Sequence, residues 1–265
     1  MRLAVLCGIR RAYVILEIVM DSGFYAACTA LMARTQALDL VANNLANSST
    51  PGYRGQHDIF RSLLTAASRH VPDGLNEAIN SYGVLGGTRL DLSQGNLEHT
   101  GNELDFAIEG SGFFMVQSGT EKFFTRNGNF RVSPQGQLVT AEGDPVLGES
   151  GPIRIVGGPV TVSEDGTISI QGAVAGKIKV VSLAQGTQLE SNGRTYYTAP
   201  ENSIVADSQS KISQGMLEAS NINPVTSAVD LVSVQRYAEM MQRALSMFHS
   251  ELNRIATDEL PRVTP

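Results

Sequence analysis

Tryptophan is absent from the 265 residues, and all aromatic residues together make up only 6%. A large aromatic-lined ligand pocket is therefore a poor starting expectation. Cysteine occurs only as Cys7 and Cys28, which excludes a disulfide framework and a four-thiolate zinc site. Basic residues are not in excess: 20 Lys and Arg stand against 26 Asp and Glu, a net charge of −6. That balance lacks the electrostatic footprint of a nucleic-acid binder. No uninterrupted apolar run reaches the roughly 20 residues of a membrane span. What remains is a chain that is 42% hydrophobic and 17% charged, enough for a sizeable core and too apolar for wholesale disorder. Its 26 glycines exceed the average share of about 7% and point to many turns, hence to β-structure.

Residues 1–19 differ from the rest. The apolar stretch Leu3–Ile9 is stopped by Arg10-Arg11 and resumes from Ala12 to Val19. A secretory signal needs an unbroken apolar segment and a small-residue cleavage site, and a twin-Arg signal carries its arginines before the apolar part. The expectation is an upstream extension, with Met20 as the natural start.

Two helices are expected at the ends of the remaining chain. Phe24, Leu31, Leu38 and Leu45 recur every seven residues, with Val41 three beyond Leu38, the spacing of a stripe that faces another helix. Arg34 interrupts that stripe. Asn47 to Gly52 then ends the helix with cap-type residues and Pro-Gly. The second helix opens at Asn223-Pro224, an N-cap followed by the residue suited to the first helical position. From there Leu231, Val234, Ala238, Met241, Leu245, Phe248, Leu252 and Ile255 step by three and four, flanked by charged residues.

Between the helices the hydrophobic period changes to two. Lys122–Val132 reads as a hairpin through Asn127-Gly128. Further turns are marked by Pro134–Gly136, Glu142–Asp144, Asp165-Gly166 and Asn192-Gly193. Short strands are expected at Gln137–Thr140, Val160–Val162, Thr167–Ile170 and Ile178–Leu183. Closely spaced strands of this kind suggest an antiparallel sandwich or barrel-like domain. Asp58–Ser68 reads as helical and Asn76–Gly87 as loop. The fold class is thus α+β: N- and C-terminal α-helices, whose coiled-coil-type stripes would pair with each other or with neighbouring subunits, around a central, antiparallel all-β domain. The expected domains are 20–56 with 215–260 for the helices, 57–100 for a linker and 101–214 for the β-rich part.

No catalytic, cofactor-binding or metal constellation emerges. His57, His70, His99 and His249 are scattered without ligand spacing. Ser111 and Ser150 sit between glycines but do not fit a nucleophile elbow, and the glycine-rich pieces lack the lysine of a phosphate loop. Glu103, Asp105 and Glu109 read as exposed strand positions and nominate no acid–base pair.

Specific resemblance lies elsewhere. Ala42-Asn43-Asn44-Leu45-Ala46-Asn47-Ser-Ser-Thr50-Pro51-Gly52-Tyr53-Arg54 resembles the N-terminal signature of the bacterial flagellar rod and hook proteins. Leu104–Phe114 resembles that family's entry into its β domain. Phe124-Thr-Arg126-Asn-Gly128-Asn-Phe130 resembles its first hairpins, and Gly215–Val225 its lead-in to the closing helix. The compact length and Gly143–Ile153 look most like the proximal-rod branch, with a distal-rod or hook-type subunit as runner-up. The resemblance implies a structural subunit, not an enzyme, with no cofactor, small-molecule substrate or nucleic acid. It implies helical polymerisation with its own copies and other rod proteins into the basal-body rod that transmits torque across the periplasm. It also implies passage through the flagellar type III export apparatus without a cleaved signal. Outside the family, the same composition suits a β-rich secreted scaffold or adhesin oligomerised by its helices.

Overall fold

A computed structural model describes residues 28–61, 84–184, 186–187, 189–193, 195–207 and 209–259. Residues 1–19, Phe24 and half of the expected linker, 62–83, lie outside them. The described chain is mostly β, with a helix near each end and 26% helix in all. None of its helices is long and apolar enough to cross a membrane. Two packed units are present: a first with residues 28–42, 58–61, 84–87 and 228–259, and a second with 43–57 and 88–227. Residues 43–56 and 215–227, expected above with the helices, belong to the β-rich unit, where Tyr53, Arg54 and Glu218 are buried.

The first helix, α1, is described over residues 28–46. The second, α2, runs Pro224–Glu259 over 36 residues. Asn223 caps it, its side-chain oxygen accepting from the backbone N–H of Val225 at 3.0 Å and of Thr226 at 3.2 Å. Within the first unit the Arg34 guanidinium lies 5.4 Å over the Tyr237 ring, so the residue that interrupts the apolar stripe of α1 meets α2 there.

The second unit is built from antiparallel strands. Its largest sheet has six, in the spatial order Glu190–Ser191, Tyr196–Thr198, Glu121–Thr125, Phe113–Ser118, Val180–Leu183 and Ile204–Ala206. A three-stranded sheet joins Val160–Val162, Thr167–Ile170 and Ala173–Lys177. The central strand Phe113–Ser118 is apolar on both faces. Phe114 and Val116 enter one core with Phe106, Ile108, Phe130, Val160 and Ile168, whereas Phe113 and Met115 enter another with Phe124, Val181 and Tyr197. Burial on both sides explains its continuous rather than alternating apolar run. The glycines of the expected turns, Gly136, Gly143, Gly166 and Gly193, all adopt positive φ.

Three sequence expectations are corrected. Asn127-Gly128 is not a hairpin turn: Glu121–Thr125 pairs with Phe113–Ser118, and Arg131–Val132 pairs with Leu138–Val139. The hairpin turns instead at Gly119, with φ 61°, between paired Ser118 and Glu121. Gly128 serves a close approach, since a Cβ there would lie 1.6 Å from the carbonyl oxygen of Phe106. Second, Gln56–Arg61 and Val84–Leu90 are paired strands, so residues 58–61 are not helix and 84–87 not loop, because cross-strand pairing outweighs a weak local preference; the rest of those two expectations lies outside the described residues. Third, Asp105 is buried rather than exposed. Its carboxylate accepts from Thr100 at 2.7 Å, Asn102 at 3.2 Å and Asn129 at 3.0 Å, which offsets the cost of burying the charge.

Candidate functional site

The four motifs singled out in the sequence converge on one place in the second unit. The first arrives at the end of α1. Asn44 is buried and grips the strand residue Gln56 at both ends: its amide nitrogen donates to the Gln56 carbonyl at 2.7 Å, and its oxygen accepts from the Gln56 N–H at 3.0 Å. The Tyr53 hydroxyl donates to the same Asn44 oxygen at 3.0 Å, with Asn43 also in reach at 3.2 Å. Burial pushes the Tyr53 phenol above its ordinary pKa, so it stays a donor. Asn47 closes the helix by donating to the carbonyl of Asn43 at 2.8 Å.

Thr50-Pro51-Gly52-Tyr53 then forms a turn in which the Tyr53 N–H donates to the Thr50 carbonyl at 3.2 Å. Gly52 has φ 69°, the conformation that a type II turn, with proline at its second position, needs at the third. A Cβ there would also lie 2.2 Å from the backbone nitrogen of Asn127, so the turn sits directly on the hairpin motif. The Gly52 N–H donates to the Glu218 carbonyl at 2.7 Å, which brings in the lead-in to α2.

At the centre are three buried charges. Glu218 is fully buried and takes Arg54 on Oε1 at 2.7 Å and Arg126 on Oε2 at 3.0 Å, with the Gly95 N–H on Oε1 at 2.9 Å. Arg54 also donates to the Ser93 carbonyl, and its backbone N–H donates to the Tyr197 hydroxyl at 2.9 Å. Arg126 reaches the carbonyls of Ile108 at 3.2 Å and Gly110 at 2.5 Å, in the motif that enters the β domain. Its guanidinium lies 5.0 Å over the Phe113 ring. Burial lowers the Arg126 pKa to about 10, against the opposing pull of Glu218. Burial raises the Tyr197 phenol strongly. Asn221 completes the joint, accepting from the Gly55 N–H at 2.8 Å and donating to the Asp91 carbonyl at 3.0 Å.

Of the signature residues, Asn44, Asn47, Gly52 and Tyr53 are buried, Thr50, Pro51 and Leu45 are half-buried, and Asn43 and Ala46 are exposed. Among the expected interface positions, Leu31, Leu38, Val41 and Leu45 on α1 are half-buried. The buried apolar positions of α1 are Ala30, Ala33 and Ala37, with Ala30 and Ala37 one residue before Leu31 and Leu38. On α2, Leu231, Val234, Met241 and Leu245 are half-buried and Ala238 is buried. Phe248, Leu252 and Ile255 belong to α2, but their side chains lie outside the described set, as does Phe24. Arg54, Arg126 and Glu218 lie inside the sequence motifs, but no spacing pattern in the chain marks them as a site. Charged residues set within otherwise apolar and glycine-rich motifs were the available signal. The arrangement is one of fixed positioning: among the described residues no group of three or more His, Cys, Asp or Glu side chains could hold a metal ion.

Three family models match the chain in register with this geometry. The flagella basal body rod protein model covers residues 24–54, the flagellar hook protein FlgE/F/G D1 domain covers 107–178, and the flagellar basal body rod FlgEFG protein C-terminal model covers 213–257. The flagellar basal-body rod protein FlgF of Caulobacter vibrioides is 34% identical over 92% of this chain and 100% of its own length. That of Salmonella typhimurium is 34% identical over 86% of this chain and 94% of its own. The FlgG rod protein of Buchnera aphidicola is 28% identical over 86% and 96%. The chain therefore belongs to the flagellar basal-body rod protein family, FlgF-like within it, and is a structural protein rather than an enzyme.

Proposed function

We propose that the chain is a subunit of the proximal part of the flagellar rod. It polymerises helically with its own copies and with other rod proteins, and the polymer carries torque from motor to hook across the periplasm. α1 and α2 pair as a coiled coil on the inner side of the polymer, and the β-rich unit lies outside. Export runs through the flagellar type III apparatus without a cleaved signal. The 34% identity to the FlgF proteins of Caulobacter vibrioides and Salmonella typhimurium over most of the chain supports the proximal position.

The observation that carries this reading is the surface of α2. Opposite its half-buried stripe, Val229 is 61%, Val232 48%, Met240 53% and Met247 65% exposed. A single subunit leaves both sides of a 36-residue helix partly apolar, so neighbours must supply the remaining cover. Contacts that repeat without closing into a ring generate a filament of this kind. The test is mass spectrometry of purified hook–basal bodies. The chain is expected in the rod fraction, and its N-terminal peptide reads out whether translation begins at Met20. Absence from intact basal bodies rejects the rod assignment.

A further inference from the structure

We propose that the buried triad Arg54–Glu218–Arg126 is a registry device: it sets how the segment leaving α1 and the segment entering α2 are held together in the β-rich unit. The inference rests on the rod reading above for its consequence in assembly, but its structural content stands alone.

The first argument is cost. Two guanidinium groups share one carboxylate, and all three are 2% exposed or less. The Nε atoms of both arginines are buried with no hydrogen-bond partner, and so is Nη2 of Arg54, which meets Glu218 Oε1 as an ion pair without hydrogen-bond geometry. Apolar residues of similar volume are commonly as stable as a buried ionic cluster, or more so, and setting register is the best-attested use of such clusters. The second argument is geometry. Among the described residues, 52–55 form no strand ladder, and residues 216–218 pair only with 97–99. No ladder therefore sets the offset between the two segments, which single bonds bridge: the Gly52 N–H to the Glu218 carbonyl, the Gly55 N–H to the Asn221 side chain and the Asn221 N–H to the Tyr53 carbonyl. Glu218 locks the alignment those bonds need because each of its oxygens is committed: Oε1 to Arg54 and the Gly95 N–H, Oε2 to Arg126. Arg54 is tied in turn to Ser93, and Arg126 to Ile108 and Gly110. Four segments distant in sequence thus meet on one carboxylate, and a planar fork accepts only one alignment of its acceptors.

The test uses the full chain in two forms: the combined variant Arg54→Met, Glu218→Leu, Arg126→Met, and the single variant Arg54→Lys. Backbone hydrogen exchange reads the device through amides whose bonds involve none of the three side chains. These are Gly52 to the Glu218 carbonyl, Gly55 to Asn221 and Ala219 to the Asn96 carbonyl. In both variants these amides are expected to exchange at least about tenfold faster while Phe114 and Val116 keep their protection. Both variants are also expected to enter basal bodies poorly in cells lacking the natural chain. If the three amides stay as protected as in the natural protein, the triad is filler and the proposal falls. Should the combined variant not fold, Arg54→Lys decides alone by the same criterion. Normal assembly of a variant with released amides sinks the device and leaves the rod reading intact. Failure to find the natural chain in basal bodies sinks the rod reading whatever the exchange data show.

Discussion

At the residue scale the joint is a set of buried polar groups, most of them partnered, around one shared carboxylate. Glu218→Ala would strand two buried arginines, and breaking a buried ion pair from one side costs about 3–5 kcal/mol. Urea unfolding of the purified chain should show that loss. Tyr53→Phe is expected to be milder, near 1 kcal/mol, because Asn44 keeps both of its bonds to Gln56 when the phenol hydrogen bond goes. Asp207 adds a pH dependence. Burial pushes its carboxyl up, but hydrogen bonds from the Ser210 hydroxyl and the backbone of Gln209 and Ser210, with the charge of Arg126, hold it below the ordinary aspartate value. A carboxylate with a lowered folded pKa contributes stability that is present above its unfolded pKa and lost as pH falls through the folded one. Asp207→Asn should therefore flatten the decline in melting temperature on acidification below about pH 4, compared with the natural chain.

At the element scale, glycine positions separate turn chemistry from packing. Gly119 has positive φ but open space around its missing Cβ, so Gly119→Ala should cost about 1 kcal/mol. At Gly128 the added atom would meet the Phe106 carbonyl, and Phe106 in turn donates its N–H to the Gly128 carbonyl at 3.0 Å. Gly128→Ala should cost clearly more, by the same unfolding measurement. The helices carry a different prediction. Leu245, half-buried on α2, is proposed to face a neighbouring helix, and Leu245→Asp is expected to abolish rod incorporation and motility. Far-ultraviolet circular dichroism should still report the folded β-rich unit, which α2 enters only through its first four residues. Normal motility in that mutant overturns the interface assignment.

At the scale of the whole molecule, the apolar side of α2 argues for a free subunit that completes its packing only in the polymer. Sedimentation of the purified chain should give a monomer. A closed trimer would instead favour a scaffold oligomerised by its helices. The sequence by itself determined the order of elements: a heptad helix at each end, a β-rich middle, the Asn223 cap and the positive-φ turn glycines. Each of these is set by contacts or dihedrals within a few residues, which a local pattern records. The signature around Asn44 and Tyr53 was legible as a motif for the same reason. Tertiary structure alone decided that Gly128 spaces two strands rather than turning a hairpin, that Asp105 is buried and that Gln56–Arg61 is a strand. It also decided that Arg54, Arg126 and Glu218, separated by as many as 164 positions, share one carboxylate. Partners at such separations leave no periodicity in the chain, because what selects them is the desolvation of charge in a core that exists only after folding.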